Sequence, residues 1–482
     1  MRRSVLVMLA AAVCVLVLSL AFRGLDNQSD VVRYLQHRSQ ASETALEAPP
    51  DVTEGVLCTH LPILRVDTGG AAIPDARHDD IPEDGIPDGM TPVAPCTVES
   101  IGAEGTWHTE RDTPEFSDRA QIRVRGNSSR LFDKKPYLLR FVTENGDGKN
   151  CPLLGMYAAS EWVLHGPFLD RTLMRNYLCY SMAGQIMPYT PNCRYCELIL
   201  NGEYQGVYLL TEAITKGDGR VELSEPGNNS PITGWLVRWD RAEKGDTLLD
   251  NFSFYTYRAG VSALDLRYPG RNTVTEERIR YVTADISRIE REIYATGSSD
   301  QIDVTAFAQY YLLNELFGNV DAGRFSTFLY KDVRGKVTPV VWDFNNACDN
   351  YIDYTYDESG FYMNDAPWFS GLLKDKTFVE SVIRQYHSLR KTLLSDEALS
   401  EFIRETDAYL GSAVERNDAV WGYVYRANKV DDVNYLHPLE RNYRSHEEAV
   451  KQLETWLTAR GRWLDRHIDS LRQYCHPSKN AG

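Results

Sequence analysis

The stretch NVDAGRFSTFLYKDVRGKVTPVVWDFNN, residues 319–346, carries the reading on which the fold turns. Phe325 to Lys331 and Val337 to Trp342 are short runs rich in aromatic and β-branched residues, with a turn from Asp332 to Lys336. In an antiparallel hairpin the start of one strand and the end of the next lie at the same end. Asp321, just before the first run, and Asp343, just after the second, are therefore expected as spatial neighbours although 22 positions apart. Asn319, Ser326, Asn345 and Asn346 add oxygen-bearing side chains at that end. Hard cations such as Mg²⁺ take such ligands, and few from the protein when phosphates supply the rest. Asp and Asn also end strands and shape turns, so spacing alone leaves both readings open.

Upstream, Leu61–Val66, Ala120–Val124 and Pro136–Val142 read as strands, and Asn201-Gly202 joins Glu197–Leu200 to Gly206–Thr211 as a hairpin. Asp79 to Gly89 is dense in Asp, Pro and Gly and reads as a loop. Helical spacing marks Arg171–Gln185, Glu276–Ala295 and Val304–Phe317, the last with Asp303 as its cap. From Trp368 the pattern is helical to the end, and Ser445-His446-Glu447-Glu448 is a capping box for the final helix. Strands first and helices later imply an α+β protein. No repeat of 20 to 50 residues suggests a solenoid or propeller.

The chain has 482 residues, 43% of them hydrophobic, and a formal charge of −16. That apolar content excludes a disordered chain, and the missing G-X-Y period excludes collagen. The acidic balance argues against nucleic acid as a partner, since phosphate neutralisation needs clustered Lys and Arg. One run can span a bilayer. Ser4 to Phe22 holds nineteen residues without a charge behind Arg2 and Arg3, close to the roughly 20 a spanning helix needs. It reads as a signal anchor, with Ser19-Leu20-Ala21 leaving cleavage open. Either way, Arg23 onward is expected outside the cytoplasm. The chain then divides into an anchor over 1–23, a linker over 24–54, a core over 55–368, a helical subdomain over 369–475 and a tail over 476–482. Eight cysteines follow the apolar run, namely Cys58, Cys96, Cys151, Cys179, Cys193, Cys196, Cys348 and Cys475. An even count in an exported chain leads us to expect at least two disulfides. Cys193 and Cys196 lack the second ligand pair that a zinc site needs.

A further loop, Arg125-Gly126-Asn127-Ser128-Ser129-Arg130, joins two of the strands. Glycine permits close backbone approach, and Arg125, Arg130, Lys134 and Lys135 supply positive charge, so the loop can hold an anion. It is not a Walker loop, and a hairpin loop with a solvated basic flank looks the same. Glu212 ends the strand Gly206–Thr211 and proves little alone. Asp170, Arg171, Arg175 and Asn176 fit charges and caps at a helix start.

Taken together, RGNSSR (125–130), KKPYLLRF (134–141), LLGM (153–156), WVLHGPFLDRTLMRNYL (162–178), LNGEYQGVYLLTEAI (200–214), NVDAGRFSTFLYKD (319–332) and PVVWDFNNACDN (339–350) resemble the spore-coat protein H (CotH) kinase family, in order and spacing. The resemblance implies a divergent, two-lobe, protein-kinase-like fold with a helical C-terminal subdomain. It implies ATP and a divalent metal, Mg²⁺ or Mn²⁺, as cofactors. By resemblance Asp321 is the catalytic Asp and Asp343 the metal-holding Asp, with Asn345 and Ser326 beside it. Arg125, Gly126, Asn127, Ser128 and Ser129 would cover the phosphates, Lys135 or Lys134 would pair with them, and Glu212 would belong to the same site. The chain departs from the family at Cys348-Asp349, where many members have Phe-Gly. Ser326 stands where some carry Asn, and Asn345 where many carry Asp, which lowers the site's negative charge.

These readings favour a membrane-anchored or secreted kinase that phosphorylates Ser or Thr of surface or secreted proteins. The competing classes are a non-catalytic adhesion protein on a kinase-like fold, and a metal-dependent binder or hydrolase of acidic or carbohydrate ligands.

Overall fold

The computed structural model describes residues 33–75, 92–102, 105–243, 245–253, 262–270, 273–426 and 433–476. Residues 1–34 form one unit and 35–482 another. The apolar run at 4–22 and the loop at 79–89 lie outside the described residues. No helix among the described residues is long and apolar enough to cross a membrane.

The first half is built on a closed seven-stranded barrel. Its strands are β2 (Ile63–Asp67), β3 (Ala94–Ile101), β5 (Phe116–Val124), β6 (Tyr137–Phe141), β7 (Glu161–His165), β9 (Glu203–Glu212) and β8 (Cys193–Leu200), in that order around the wall. A small ribbon, β1 (Cys58–Thr59) with β4 (His108–Thr109), stands beside it in the chain. Every barrel pairing is antiparallel except the closing one, where β2 runs parallel to β8 with Ile63 opposite Glu197. Alternation points Leu64, Val66, Ile122, Leu139, Trp162 and Leu198 into one buried core. The expected hairpin at Asn201-Gly202 is the β8–β9 turn, with Asn201 in the left-handed region at φ 52°. β8 is buried on both faces. Its outer side chains Cys193 and Tyr195 share the main core with Met174, Tyr177 and Leu178 around helix α1 (Arg175–Ala183).

The hairpin read from residues 325–342 exists as β12 (Thr327–Lys331) and β13 (Thr338–Val340), with Leu329 opposite Pro339. It belongs to a four-stranded antiparallel sheet ordered β11-β10-β12-β13, with β10 at Trp235–Asp240 and β11 at Ala263–Tyr268. The longer helices that follow are α2 (Glu276–Thr296), α3 (Val304–Leu316), α4 (Lys376–Leu389), α5 (Asp396–Leu410), α6 (Ser412–Trp421) and α7 (His446–His467). Asp303 caps α3 by accepting from the Ala306 amide at 3.0 Å. Ser445 caps α7 by accepting from the Glu448 amide at 3.2 Å. The Glu448 carboxylate returns to the Arg444 amide, one residue earlier than in a standard capping box. The stripes Phe378–Val382–Tyr386 of α4, Phe402–Tyr409 of α5 and Leu453–Leu464 of α7 join the main core, where α4 and α7 pack on the almost wholly buried α3 and α5 packs on α7. The chain is thus α+β, with its helical part at the C-terminal end.

Two expectations need correction. Part of the linker expected over 24–54 is docked, from Leu35 to Glu47. Gln36 is fully buried, its amide clamping Tyr195 through the Tyr195 N–H (2.6 Å) and carbonyl (3.2 Å). Glu43 accepts from the Ser412 amide at 3.0 Å. The expected disulfides are absent among the described residues, where all eight cysteines are free thiols. Cys193 and Cys196 stand three apart on β8 and so face opposite sides, one in each core. Cys348 and Cys475 instead donate to the carbonyls of Phe317 and Leu373.

Candidate active site

One cavity of about 440 Å³ gathers most of the sequence-derived residues. Its lining includes Asp321, Ser326, Asp343, Asn345 and Asn346 from the ends of the β12–β13 hairpin, and Arg125 to Ser129 from the loop after β5. The hairpin expectation holds, because residues 319–326 and 342–346 meet at one end. Asn346 Nδ2 donates to Asp321 Oδ2 at 2.9 Å, and Ser326 Oγ donates to Asp343 Oδ2 at 3.1 Å. Asn319 Nδ2 ties Asn314 Oδ1 (3.0 Å) to the Asp343 carbonyl (3.3 Å).

Burial pushes the Asp343 carboxyl up to about 6, and the nearby Asp321 charge adds to the rise. Arg125 and the Ser326 hydroxyl oppose it. Ser326 (φ 49°) and Asp343 (φ 62°) both hold left-handed backbone, which for such residues costs on the order of 1–3 kcal/mol each. Strain of that size persists only where the surroundings over-determine the conformation.

The surroundings are visible in α1. Asn176 Oδ1 accepts the Phe344 amide at 2.7 Å, while its Nδ2 reaches Asn345 Oδ1 at 3.4 Å and stands against His165 Nε2. Arg175, its neighbour, donates to the carbonyls of Ala347 (3.0 Å) and Cys348 (3.3 Å) and is paired with Asp170 at 2.6 Å. The Asp343 amide donates to Tyr180 Oη at 3.1 Å. Three side chains of one helix therefore fix residues 343–348. Burial pushes His165 down to about 4, so the imidazole in the cavity wall is neutral at pH 7.

The rest of the lining mixes arginines with the carboxylates of Glu161, Asp240 and Glu243. The Arg125 guanidinium lies 5.8 Å from the Trp342 ring centre, and burial lowers its pKa while the Asp343 charge raises it. Arg123, near the end of β5, lines the same cavity, and Arg238 and Arg267 arrive on β10 and β11. Arg267 is paired with Asp265 at 3.2 Å, and Arg238 with Asp265 at 3.3 Å and Asp246 at 3.4 Å. Gly126 is required at its place. It holds φ 95°, and a Cβ there would stand 2.2 Å from Ser129 Oγ.

Three sequence-derived residues are not brought to this cavity. Lys134 is buried with Nζ donating to the Val207 carbonyl (2.6 Å) and Asn417 Oδ1 (2.7 Å), and burial lowers it to about 7. Lys135 Nζ donates to the Arg130 carbonyl at 2.6 Å and stands 3.5 Å from Asp75, bracing the loop from behind. Glu212 is fully buried and accepts from the Asn192 amide at 2.8 Å. Sequence reasoning missed Arg123, Arg238, Arg267, His165 and Tyr180. The Arg123-Val124-Arg125 spacing could have flagged the first, because Arg123 stands two residues before Arg125.

The donors near Asp343 are all hard oxygens, which suits Mg²⁺ or Mn²⁺ rather than a softer metal. Among the described residues no group of three or more His, Cys, Asp or Glu side chains could hold a metal ion by itself. A cation here would therefore lean on Asp343, on the neutral oxygens of Ser326 and Asn345, and on ligand oxygens.

A comparison with curated proteins finds no match. A comparison with protein families matches residues 122–464 to the family described as CotH kinase protein. That match spans the barrel strands from β5 on, the β12–β13 hairpin and the C-terminal helices, and so takes in the whole cavity. The chain belongs to the CotH kinase family.

Proposed function

We propose that this protein is a CotH-type kinase that moves the γ-phosphoryl group of ATP, with Mg²⁺ or Mn²⁺, to Ser or Thr hydroxyls of surface or secreted proteins. In this reading its fold is a divergent two-lobe kinase fold. Its N-terminal segment holds it at the cell membrane with the main domain outside, or is cleaved to release it. The observation that carries the proposal is the meeting of Asp321, Asp343 and Arg125 in one cavity.

The residues divide the work as phosphoryl transfer demands, by positioning and charge neutralisation. Asp343, fixed by Ser326 and Tyr180, holds the metal, with Asn345 and Ser326 as neutral oxygen donors. The metal, when bound, neutralises charge on the phosphate oxygens. Arg125 and the loop Gly126 to Ser129 meet the phosphates, and Arg125 takes the part that the sequence assigned to Lys135 or Lys134. Asp321 orients the acceptor hydroxyl and receives its proton as the new O–P bond forms and the β–γ P–O bond breaks, leaving ADP. Asn346 holds Asp321 in place. The test is the purified protein with labelled ATP, Mg²⁺ or Mn²⁺, and its own hydroxyls or a generic protein as acceptor. The expected result is metal-dependent label transfer. ATP binding without transfer would favour a non-catalytic binder, and no binding under either metal would end the kinase reading.

A further inference from the structure

Two walls of the cavity are held from behind by one short stretch, residues 434–441. On the first wall lie Phe132 and the loop that precedes it. Asn434 meets this wall at the next residue, Asp133. Its Oδ1 accepts the Asp133 amide at 3.1 Å, and its Nδ2 donates to Asp133 Oδ2 at 3.0 Å. On the second wall lie Tyr351 and Ile352, which follow the Asp343 block in the chain. Arg441 donates to the Tyr351 carbonyl at 2.8 Å, and to the carbonyl and carboxylate of Asp349 at 2.9 and 3.0 Å. The His437 amide adds a bond to the Ile352 carbonyl at 2.8 Å.

The stretch is tied to itself by hydrogen bonds. Asn442 folds it on itself, accepting the Leu436 amide at 2.9 Å and donating to the Leu436 carbonyl at 2.7 Å. Arg441 also donates to the His437 carbonyl at 2.7 Å. Its apolar side chains Tyr435 and Leu436 are buried in one cluster with Phe132, against which Ile352 packs. Phe132 on the first wall and Ile352 on the second thus share one cluster.

We propose that residues 434–441 are a clasp that couples the phosphate-facing loop to the segment 349–353, with Asn434 and Arg441 as its positioning residues. The clasp rests on the kinase reading for its role, which is to let nucleotide on the loop set the wall beside Asp321. It rests on geometry alone for its existence. Asn434 makes two of these hydrogen bonds and Arg441 four, and the share of their loss that crosses the clasp should read as roughly a threefold to tenfold change.

The test is amide hydrogen exchange on the nucleotide-free full chain, as wild type, Asn434→Ala, Asn434→Asp and Arg441→Ala, followed by calorimetry with Mg·ATP. The expected signature is cross-talk. Arg441→Ala should speed exchange at Asp133 threefold to tenfold although it touches no residue of the loop, and Asn434→Ala should do the same for residues 351–353. Asn434→Asp, which sets a second carboxylate against Asp133, should exceed the alanine variant. Each alanine variant should weaken Mg·ATP binding severalfold, and the double variant should fall short of the sum of the two in free energy. Exchange that quickens only on the wall each substitution touches would overturn the clasp, whatever the protein does with ATP. Cross-talk in a protein that binds no Mg·ATP would keep the coupling and remove the kinase reading beneath it.

Discussion

Ser326 Oγ donates to Asp343 Oδ2 at 3.1 Å, and both residues hold backbone that only glycine adopts without cost. The bond and the strained backbone occur at the same two residues. Ser326→Gly changes both at once, and two readouts tell them apart. It relieves backbone strain and removes the donor that favours ionised Asp343. Stability by denaturant titration should hold or rise by up to about 1 kcal/mol. The Mg²⁺ concentration needed for half-maximal ATP binding should rise severalfold. A loss of stability without a change in metal requirement would make Ser326 a purely structural residue.

Asp343→Ala and Asp321→Ala should part company in the same calorimeter. Removing Asp343 takes away the one carboxylate proposed for the metal, and Mg·ATP affinity should drop at least about tenfold, or some 1.4 kcal/mol. Asp321→Ala should leave that affinity within about twofold while label transfer falls by orders of magnitude, because general-base groups contribute on the order of 10²–10⁴-fold. Equal nucleotide affinity in wild type and Asp343→Ala would remove Asp343 from the metal role.

The cation that meets the phosphates is open to a direct comparison. Arg125→Ala should weaken ATP binding roughly tenfold and leave adenosine binding unchanged, since adenosine carries no phosphate. Lys135→Ala should change ATP affinity by less than about twofold, its ammonium being spent on the Arg130 carbonyl. Lys134→Met should instead cost about 1–3 kcal/mol of stability, because the Val207 carbonyl loses a buried donor. A tenfold loss of affinity in Lys135→Ala would return the phosphate role to the lysine.

Acid should loosen the docked N-terminal stretch. His37 is buried beside Phe402, with Nδ1 2.8 Å from Tyr177 Oη and Nε2 3.5 Å from Glu405. Burial, aided by the Arg38 charge, lowers its pKa from 6.5 to about 4, against the pull of Glu405. The undocked chain therefore binds the proton more readily, and docking weakens as pH falls from 6.5 toward 4. Proteolysis within residues 35–47 should quicken over that range, and His37→Phe should flatten the dependence. Cleavage that is equally pH-dependent in the variant would move the effect to another group.

How far the sequence reached depended on which interactions are local. The β12–β13 hairpin was legible because its turn and both strands lie within one short window, and with it came the meeting of Asp321 and Asp343. The caps at Asp303 and Ser445 were legible for the same reason. Barrel closure was not, because β2 pairs with β8 across the chain and no local pattern records a partner. Lys134 and Lys135 looked equivalent as charges beside a loop. Their roles were set by acceptors far off in sequence, such as Val207 and Asn417. The disulfide expectation counted cysteines but could not see Cys193 and Cys196 turned to opposite faces of one strand.

The parallel pairing of β2 with β8 also bears on how the chain is made. Ile63 leaves the ribosome well before Glu197, its partner in the closing ladder. At ordinary rates of synthesis the interval is on the order of ten seconds. Through that interval β2 can pair with β3, but its other edge stays open and the barrel core stays wet on that side. A non-local closure of this kind is slow to nucleate and exposes strand edges to neighbouring chains. The vulnerable species is thus a chain shorter than about 200 residues, in which β2 is made and β8 is not.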